Sequence, residues 1–166
     1  MRNEDDDTVI DPVCGMRVKS TQLALEYMQM RFAFCSEQCR ERFLANPGLY
    51  VGKPGSMSMK QMGHEMIKLR RLRLAEPLPV GRDEELKHTL YQMMGIKNVY
   101  YDGVRWEISY DLLQATAKQI ERTISEFGAQ LGGNWAEQLR RAFVHYVEET
   151  ELLNLESPGG SHSHHH

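Results

Sequence analysis

All three cysteines of this 166-residue chain lie in its first quarter, at Cys14, Cys35 and Cys39, spaced C-x20-C-x3-C. They sit inside Asp11-Pro12-Val13-Cys14-Gly15-Met16 and Phe34-Cys35-Ser36-Glu37-Gln38-Cys39. A folded unit of about 40 residues rarely holds together on apolar burial alone and needs a staple. Thiolates supply one by selecting Cu(I) and Zn(II) over hard ions. A disulfide framework would leave one thiol over. The opposing reading is structural: three small buried hydrophobes, or a zinc ion that only holds a mini-domain together.

Composition narrows the setting. The hydrophobic fraction of 41% and charged fraction of 26% are those of a soluble globular protein of one ordinary domain or two small ones. A formal charge of −3 leaves no nucleic-acid footprint. The opening Met1-Arg2-Asn3-Glu4-Asp5-Asp6-Asp7 lacks the apolar core of a secretory signal, and no run reaches the roughly 18 apolar residues of a membrane span. The expected compartment is the reducing cytoplasm, where cysteine clusters bind metals or act chemically sooner than they form disulfides.

The chain divides by composition into five parts. Residues 1–9 read as a disordered acidic tail, 10–51 as the cysteine-bearing module, and 52–65 as a linker rich in Gly, Pro, Ser and Met. Residues 66–155 read as a second folded unit, and 156–166 as a flexible His-rich tail. In the cysteine-bearing module, Leu23–Tyr27 and Arg31–Phe34 are expected to form a hairpin. Ser36 is a good N-cap for a helix running to about Ala45, which Asn46-Pro47-Gly48 would stop. Cys39 and Phe43 share a face of that helix. Cys35 and Cys39 lie at its positive end, which is expected to lower their thiol pKa values.

The second unit alternates helix and strand signals. Ile67 to Leu74 reads as a strand whose apolar phase shifts between Leu69 and Leu72, suggesting a bulge near Arg70-Arg71. A helix with Leu86, Leu90 and Met93 or Met94 on one face follows. Ile96–Tyr101 pairs with the alternating Val104, Trp106, Ile108 and Tyr110 through Asp102-Gly103, a two-residue hairpin signal. A helix with Ala117, Ile120, Ile124 and Phe127 leads to a weak strand at Ala129–Leu131. The order is the ferredoxin-like βαββαβ pattern. A final helix starts at the Asn134 cap and carries the stripe Trp135, Leu139, Ala142, Phe143, Tyr146, Thr150 and Leu153. That stripe is core packing, or a dimer or partner surface if the sheet is already covered. The expected class is α+β: a small Cys-rich ββα module plus a ferredoxin-like unit with an extra C-terminal helix.

The first module resembles the YHS domain, part of the TRASH-like group of small metal-binding modules. The matching residues are Asp11-Pro12-Val13-Cys14-Gly15-Met16, Tyr27, Phe32, Phe34-Cys35-Ser36, Cys39, Phe43, Asn46-Pro47 and Tyr50. The resemblance implies metal binding by Cys14, Cys35 and Cys39, and heavy-metal handling beside copper-exporting P-type ATPases. Cys35 stands where the name-giving motif has His, which favours a soft metal. Residues 66–132 are similar to heavy-metal-associated domains in element order and in Gly95-Ile96-Lys97-Asn98-Val99. That family's Cys-x-x-Cys loop is replaced here by Ala75-Glu76-Pro77-Leu78-Pro79-Val80-Gly81. The second unit is therefore expected to dock a protein partner, not to bind Cu(I) by the family mechanism.

Other residues invite weighing. A zinc site wants a fourth ligand, and Asp11, Met16, Met28 and Met30 are the neighbours in sequence; three thiolates alone would suit Cu(I) or an open zinc position. Met57, Met59, Met62 and Met66 around His64 are soft donors, or methionines of a flexible linker packing loosely. The tail Ser161-His162-Ser163-His164-His165-His166 binds metals through imidazole, or is a purification scar. His88 and His145 read as ordinary surface or core histidines. Lys68, Arg70, Arg71 and Arg73 read as a solvated basic edge able to dock an acidic partner. No zincin, P-loop or nucleophile-elbow motif is present. The expectation is a non-enzymatic Cu(I) or Zn(II) chaperone, buffer or sensor. The alternative is a protein-interaction module with a structural zinc, and thiol catalysis ranks last.

Overall fold

The computed structural model describes residues 7–156. The acidic stretch 1–6 and the His-rich tail 157–166 lie outside the described residues. The chain is α+β and divides into two units, one of residues up to 64 together with those from 154 onward, the other of Glu65–Leu153.

The first unit has two hairpins and a helix. Strand β1 (Thr8–Ile10) pairs antiparallel with β2 (Arg17–Lys19), and β3 (Leu25–Tyr27) with β4 (Met30–Phe32). The β1–β2 hairpin was not foreseen: Thr8 and Val9, read as the end of a tail, begin it. The β3–β4 hairpin turns through Met28 and Gln29, both with positive φ (49° and 64°). A turn of this hand normally takes Asn-Gly, so the alternating pattern around it carries the pairing. Helix α1 (Glu37–Ala45) starts where Ser36 accepts a hydrogen bond from the Cys39 backbone N–H. Cys39 and Phe43 both face inward and are fully buried. The Phe43 ring sits among Tyr27, Phe32, Phe34 and Tyr50, with centroids 4.9–6.0 Å away. Burying such a ring stabilises a small unit by about 1.5–3 kcal/mol. A 3-10 turn at Pro47–Leu49 ends this stretch.

The second unit is built on a three-stranded antiparallel sheet in the order β5-β7-β6, from β5 (Ile67–Arg73), β6 (Ile96–Tyr101) and β7 (Arg105–Asp111). Helices α2 (Arg82–Tyr91) and α3 (Ala117–Phe127) contribute buried Leu86, Leu90, Ile120 and Ile124. The sheet contributes Leu72, Val99, Trp106, Ile108 and Tyr110. A capping box between Thr116 and Gln119 starts α3. The expected fourth strand is reduced to a single antiparallel bridge, Leu74 to Leu131. The tight β6–β7 turn falls at Gly103-Val104, one residue later than expected, because the Asp102 carboxylate accepts from the Val104 and Arg105 N–H groups. Val104 is accordingly exposed.

Strand β5 departs from its reading. Its register with β7 runs unbroken from Ile67 to Arg73, and the irregularity lies instead between Ile96 and Asn98 of β6. The apparent phase shift arises because Arg70 points inward beside Leu72, while Ile67 and Leu69 stay half-exposed. Lys68 and Arg70 are thus no solvated edge. Lys68 pairs with Glu151 at 2.6 Å and Arg70 lies 3.9 Å from Glu121.

Helix α4 (Trp135–Glu156) explains the partners. Its inward side carries Arg141, His145, Glu148 and Leu152. Its apolar stripe faces solvent, with Trp135, Leu139, Phe143, Tyr146 and Leu153 each at least half exposed. The stripe is not core. Arg141 and His145 both contact Glu121, so His145 belongs to a partly buried charge network. His88 is exposed. No helix among the described residues is long and apolar enough to cross a membrane.

Candidate metal centre

The loop between β1 and β2 is the first wall of the site. Asp11 opens it and Gly15, at φ +82°, reverses the chain so that the Asp11 N–H reaches the Met16 carbonyl at 2.8 Å. The Asp11 carboxylate then folds back over its own loop. One oxygen accepts from the Val13 and Cys14 N–H groups (2.7 and 3.2 Å), an Asx-turn arrangement. The other accepts from the Cys35 N–H at 2.8 Å, tying the loop to the start of α1. Asp11 is fully buried.

The second wall is the β4–α1 junction. Cys35 precedes the Ser36 cap and Cys39 lies in the first turn of α1, so both thiols turn to the same side. The Gln22 amide fixes the Cys35 carbonyl at 3.2 Å. Cys14 Sγ lies 3.4 Å from Cys35 Sγ, which lies 3.6 Å from Cys39 Sγ. The three sulfurs and an Asp11 oxygen all lie within 4.8 Å of one another. Ligands about 2.3 Å from a common ion would put tetrahedral sulfur pairs about 3.8 Å apart. The thiols need only a small spread to take one up, so the donor set fits a thiophilic ion.

The thiol acidities differ from the helix-end expectation. Cys14, off the helix, is the one held below its ordinary value, chiefly by the hydrogen bond from Cys39. Burial pushes Cys35 up to about 11. Cys39 is also pushed up, first by its hydrogen bond to Cys14 and then by burial. Close thiols cannot all ionise without a cation between them, and this outweighs the helix dipole.

The structure therefore brings Cys14, Cys35 and Cys39 together and adds Asp11 from among the neighbours considered. Met16, Met28 and Met30 have exposed side chains, as do Met57 and Met62. The clamp by Asp11 was not legible as such. Its only sequence signal is an Asp-Pro placed three residues before a cysteine, the sequence of a turn.

A hairpin loop and a helix start that hold three thiols around one point define a small thiolate-cage module able to bind a metal ion. Residues 9–53 match the family model of the YHS domain. The match lies wholly in the first unit. No curated protein and no solved structure matches the chain.

Proposed function

We propose that this chain is a non-catalytic metal-binding accessory protein that holds Cu(I) or Zn(II) on Cys14, Cys35 and Cys39 and passes it on, stores it or senses it. The observation that carries this reading is the sulfur cluster, pre-set by Asp11 through backbone hydrogen bonds. Asp11 positions the site, since its two oxygens accept three N–H donors. The three sulfurs alone suit Cu(I) or a zinc ion with an open position, and the Asp11 oxygen beside them keeps a lone pair that can complete a four-ligand site.

Exchange of the ion, in preference to a purely structural zinc, is supported by access. Cys14 and Cys35 are half-buried, and only Cys39 is closed off. An incoming thiolate can displace Cys14 or Cys35 first, so the ion moves between ligand sets without being released. The aromatic cluster around Phe43 gives the unit apolar packing that does not depend on the ion. A metal-transporting P-type ATPase is the kind of partner the family resemblance suggests, with the second unit docking to it in a cytoplasmic setting.

The test is elemental analysis with Cu(I) and Zn(II) competition titrations, using the chain with His162, His164, His165 and His166 replaced by alanine. One ion per chain, rapidly transferred to a competing protein and weakened strongly by Cys35→Ser, is the expected outcome. One slowly exchanging zinc whose removal unfolds the first unit would leave the structural-zinc alternative standing. Cu(I) and Zn(II) binding unchanged by Cys35→Ser would remove the assignment.

A further inference from the structure

We propose that the second unit holds a phosphoryl group of a small molecule in an arginine-lined cleft beside β5. This site is independent of the thiolate cage. The cleft has a volume of about 320 Å³ and is lined by Arg70, Arg71 and Arg73 of β5, Arg105 of β7, and Arg140 and Arg141 of α4. One carboxylate, Glu137, also lines it.

The charges do not cancel. Arg70 and Arg141 both face Glu121, at 3.9 and 3.6 Å, and Arg71 bonds Glu107 at 3.0 Å. Arg141 also donates to the Gly132 carbonyl at 2.8 Å. Arg73 and Arg140 form no ion pair among the described residues, and Arg105 feels the fully exposed Asp102 carboxylate at the β6–β7 turn. Arg73 and Arg105 stand directly opposite each other in the β5–β7 register. Like charges in that relation destabilise a sheet, and an anion between them relieves the repulsion. A second observation points the same way. The Arg70 side chain is only 10% exposed, yet its Nε has no hydrogen-bond partner among the described residues. A shielded donor left unpaired is costly, and the side chain that carries it lines this cleft.

The chemistry of the ligand follows from the donors. Guanidinium forks match both phosphate and carboxylate. Here they come from two strands and a helix and approach from several directions. A tetrahedral group with several charged oxygens can engage them together, whereas a flat carboxylate occupies one fork. The volume is that of a small-molecule site.

The test is calorimetric titration of the full chain with pyrophosphate at constant ionic strength and about pH 8, where imidazoles are neutral. Citrate serves as the carboxylate comparator. Saturable one-site binding is expected, weakened at least about tenfold in Arg73→Gln/Arg105→Gln and also weakened in Arg140→Gln. All three side chains are exposed, so these variants are expected to fold with unchanged circular dichroism. Lys118→Gln removes an exposed charge from α3 outside the cleft and leaves the affinity unchanged. Absence of saturable binding overturns the proposal. So does an equal loss in Lys118→Gln, no loss in the arginine variants, or citrate binding as tightly as pyrophosphate. Sedimentation with phosphoinositide-containing vesicles separates a lipid headgroup from a free compound. No co-sedimentation is expected, and co-sedimentation abolished in the arginine variants would overturn the small-molecule assignment.

Discussion

Asp11 in the first unit and Glu121 and Glu148 in the second are all buried carboxylates, but they are satisfied by different kinds of partner. Asp11 is held chiefly by backbone N–H groups, of Val13, Cys14 and Cys35, with the Cys35 thiol also beside it. Glu148 accepts from the Tyr110 hydroxyl and the Ala117 N–H, and Glu121 meets Arg70, Arg141 and His145. Backbone donors cannot rotate away, so the thiol-bearing loop and helix start are set before any ion arrives. Side-chain donors can change rotamer, so the charged layer under α4 can adjust. The first arrangement makes a site of fixed shape; the second leaves cations over at the edge of its network, and the arginine cleft lies there.

The comparison can be broken experimentally, because both tryptophans, Trp106 and Trp135, lie in the second unit. Tryptophan fluorescence follows that unit, while circular dichroism follows both. Phe43→Ala should have the largest effect, removing about 3–5 kcal/mol from the first unit. It should appear as an early circular-dichroism transition with fluorescence unmoved. Asp11→Ala leaves three backbone donors unpaired and should cost about 3 kcal/mol in the same transition. Asp11→Asn keeps one acceptor oxygen and should cost less. If the two Asp11 variants are equal, the clamp does not set the loop. Chelation of a metal-loaded sample should shift the first transition by about 2.7 kcal/mol when the free ion had been at a hundredfold excess over Kd, with the fluorescence transition unchanged.

The charged layer yields a smaller, pH-dependent effect. Burial raises the Glu148 pKa above its ordinary 4.5 against the opposing pull of Tyr110, Ala117, Arg70 and Lys68. The folded state then holds this proton to higher pH than the unfolded state. Stability from Glu148 is present below the unfolded pKa and declines as pH rises through the folded one. Fluorescence-detected urea unfolding from about pH 4 upward should show this decline, and Glu148→Gln should flatten it. Glu148→Ala should cost about 2 kcal/mol by orphaning the Ala117 N–H. The smallest effect belongs to Phe143→Ala. That ring is 64% exposed, and its loss should change stability by no more than about 0.5 kcal/mol. A larger loss would mean that the α4 stripe is covered in solution.

Much of the first unit could be read from its residues. Ser36, the Cys39–Phe43 spacing and Asn46-Pro47 mark α1 because caps and periodicity are local. The β1–β2 hairpin escaped notice because three-residue strands carry too little alternation to register. In the second unit the Ile96–Tyr101 strand matched its expected bounds, and Trp106, Ile108 and Tyr110 took their expected inward places. Strand β5 did not, because an inward arginine breaks the apolar pattern. Its acidic partners, Glu121 on α3 and Glu148 on α4, lie far along the chain and make that placement stable.

Spacing and residue type alone placed three thiols in one small module and pointed to a soft ion, because local backbone geometry and sulfur chemistry decide both. Tertiary structure decided that Asp11 is a clamp, that the shared cluster holds the Cys14 thiol below its ordinary pKa and raises Cys35 and Cys39, and that α4 turns its charges inward. It also placed Arg73 opposite Arg105. Each of these depends on which distant groups share a buried space, and the energy of a charge there is set by its neighbours, not by its place in the chain.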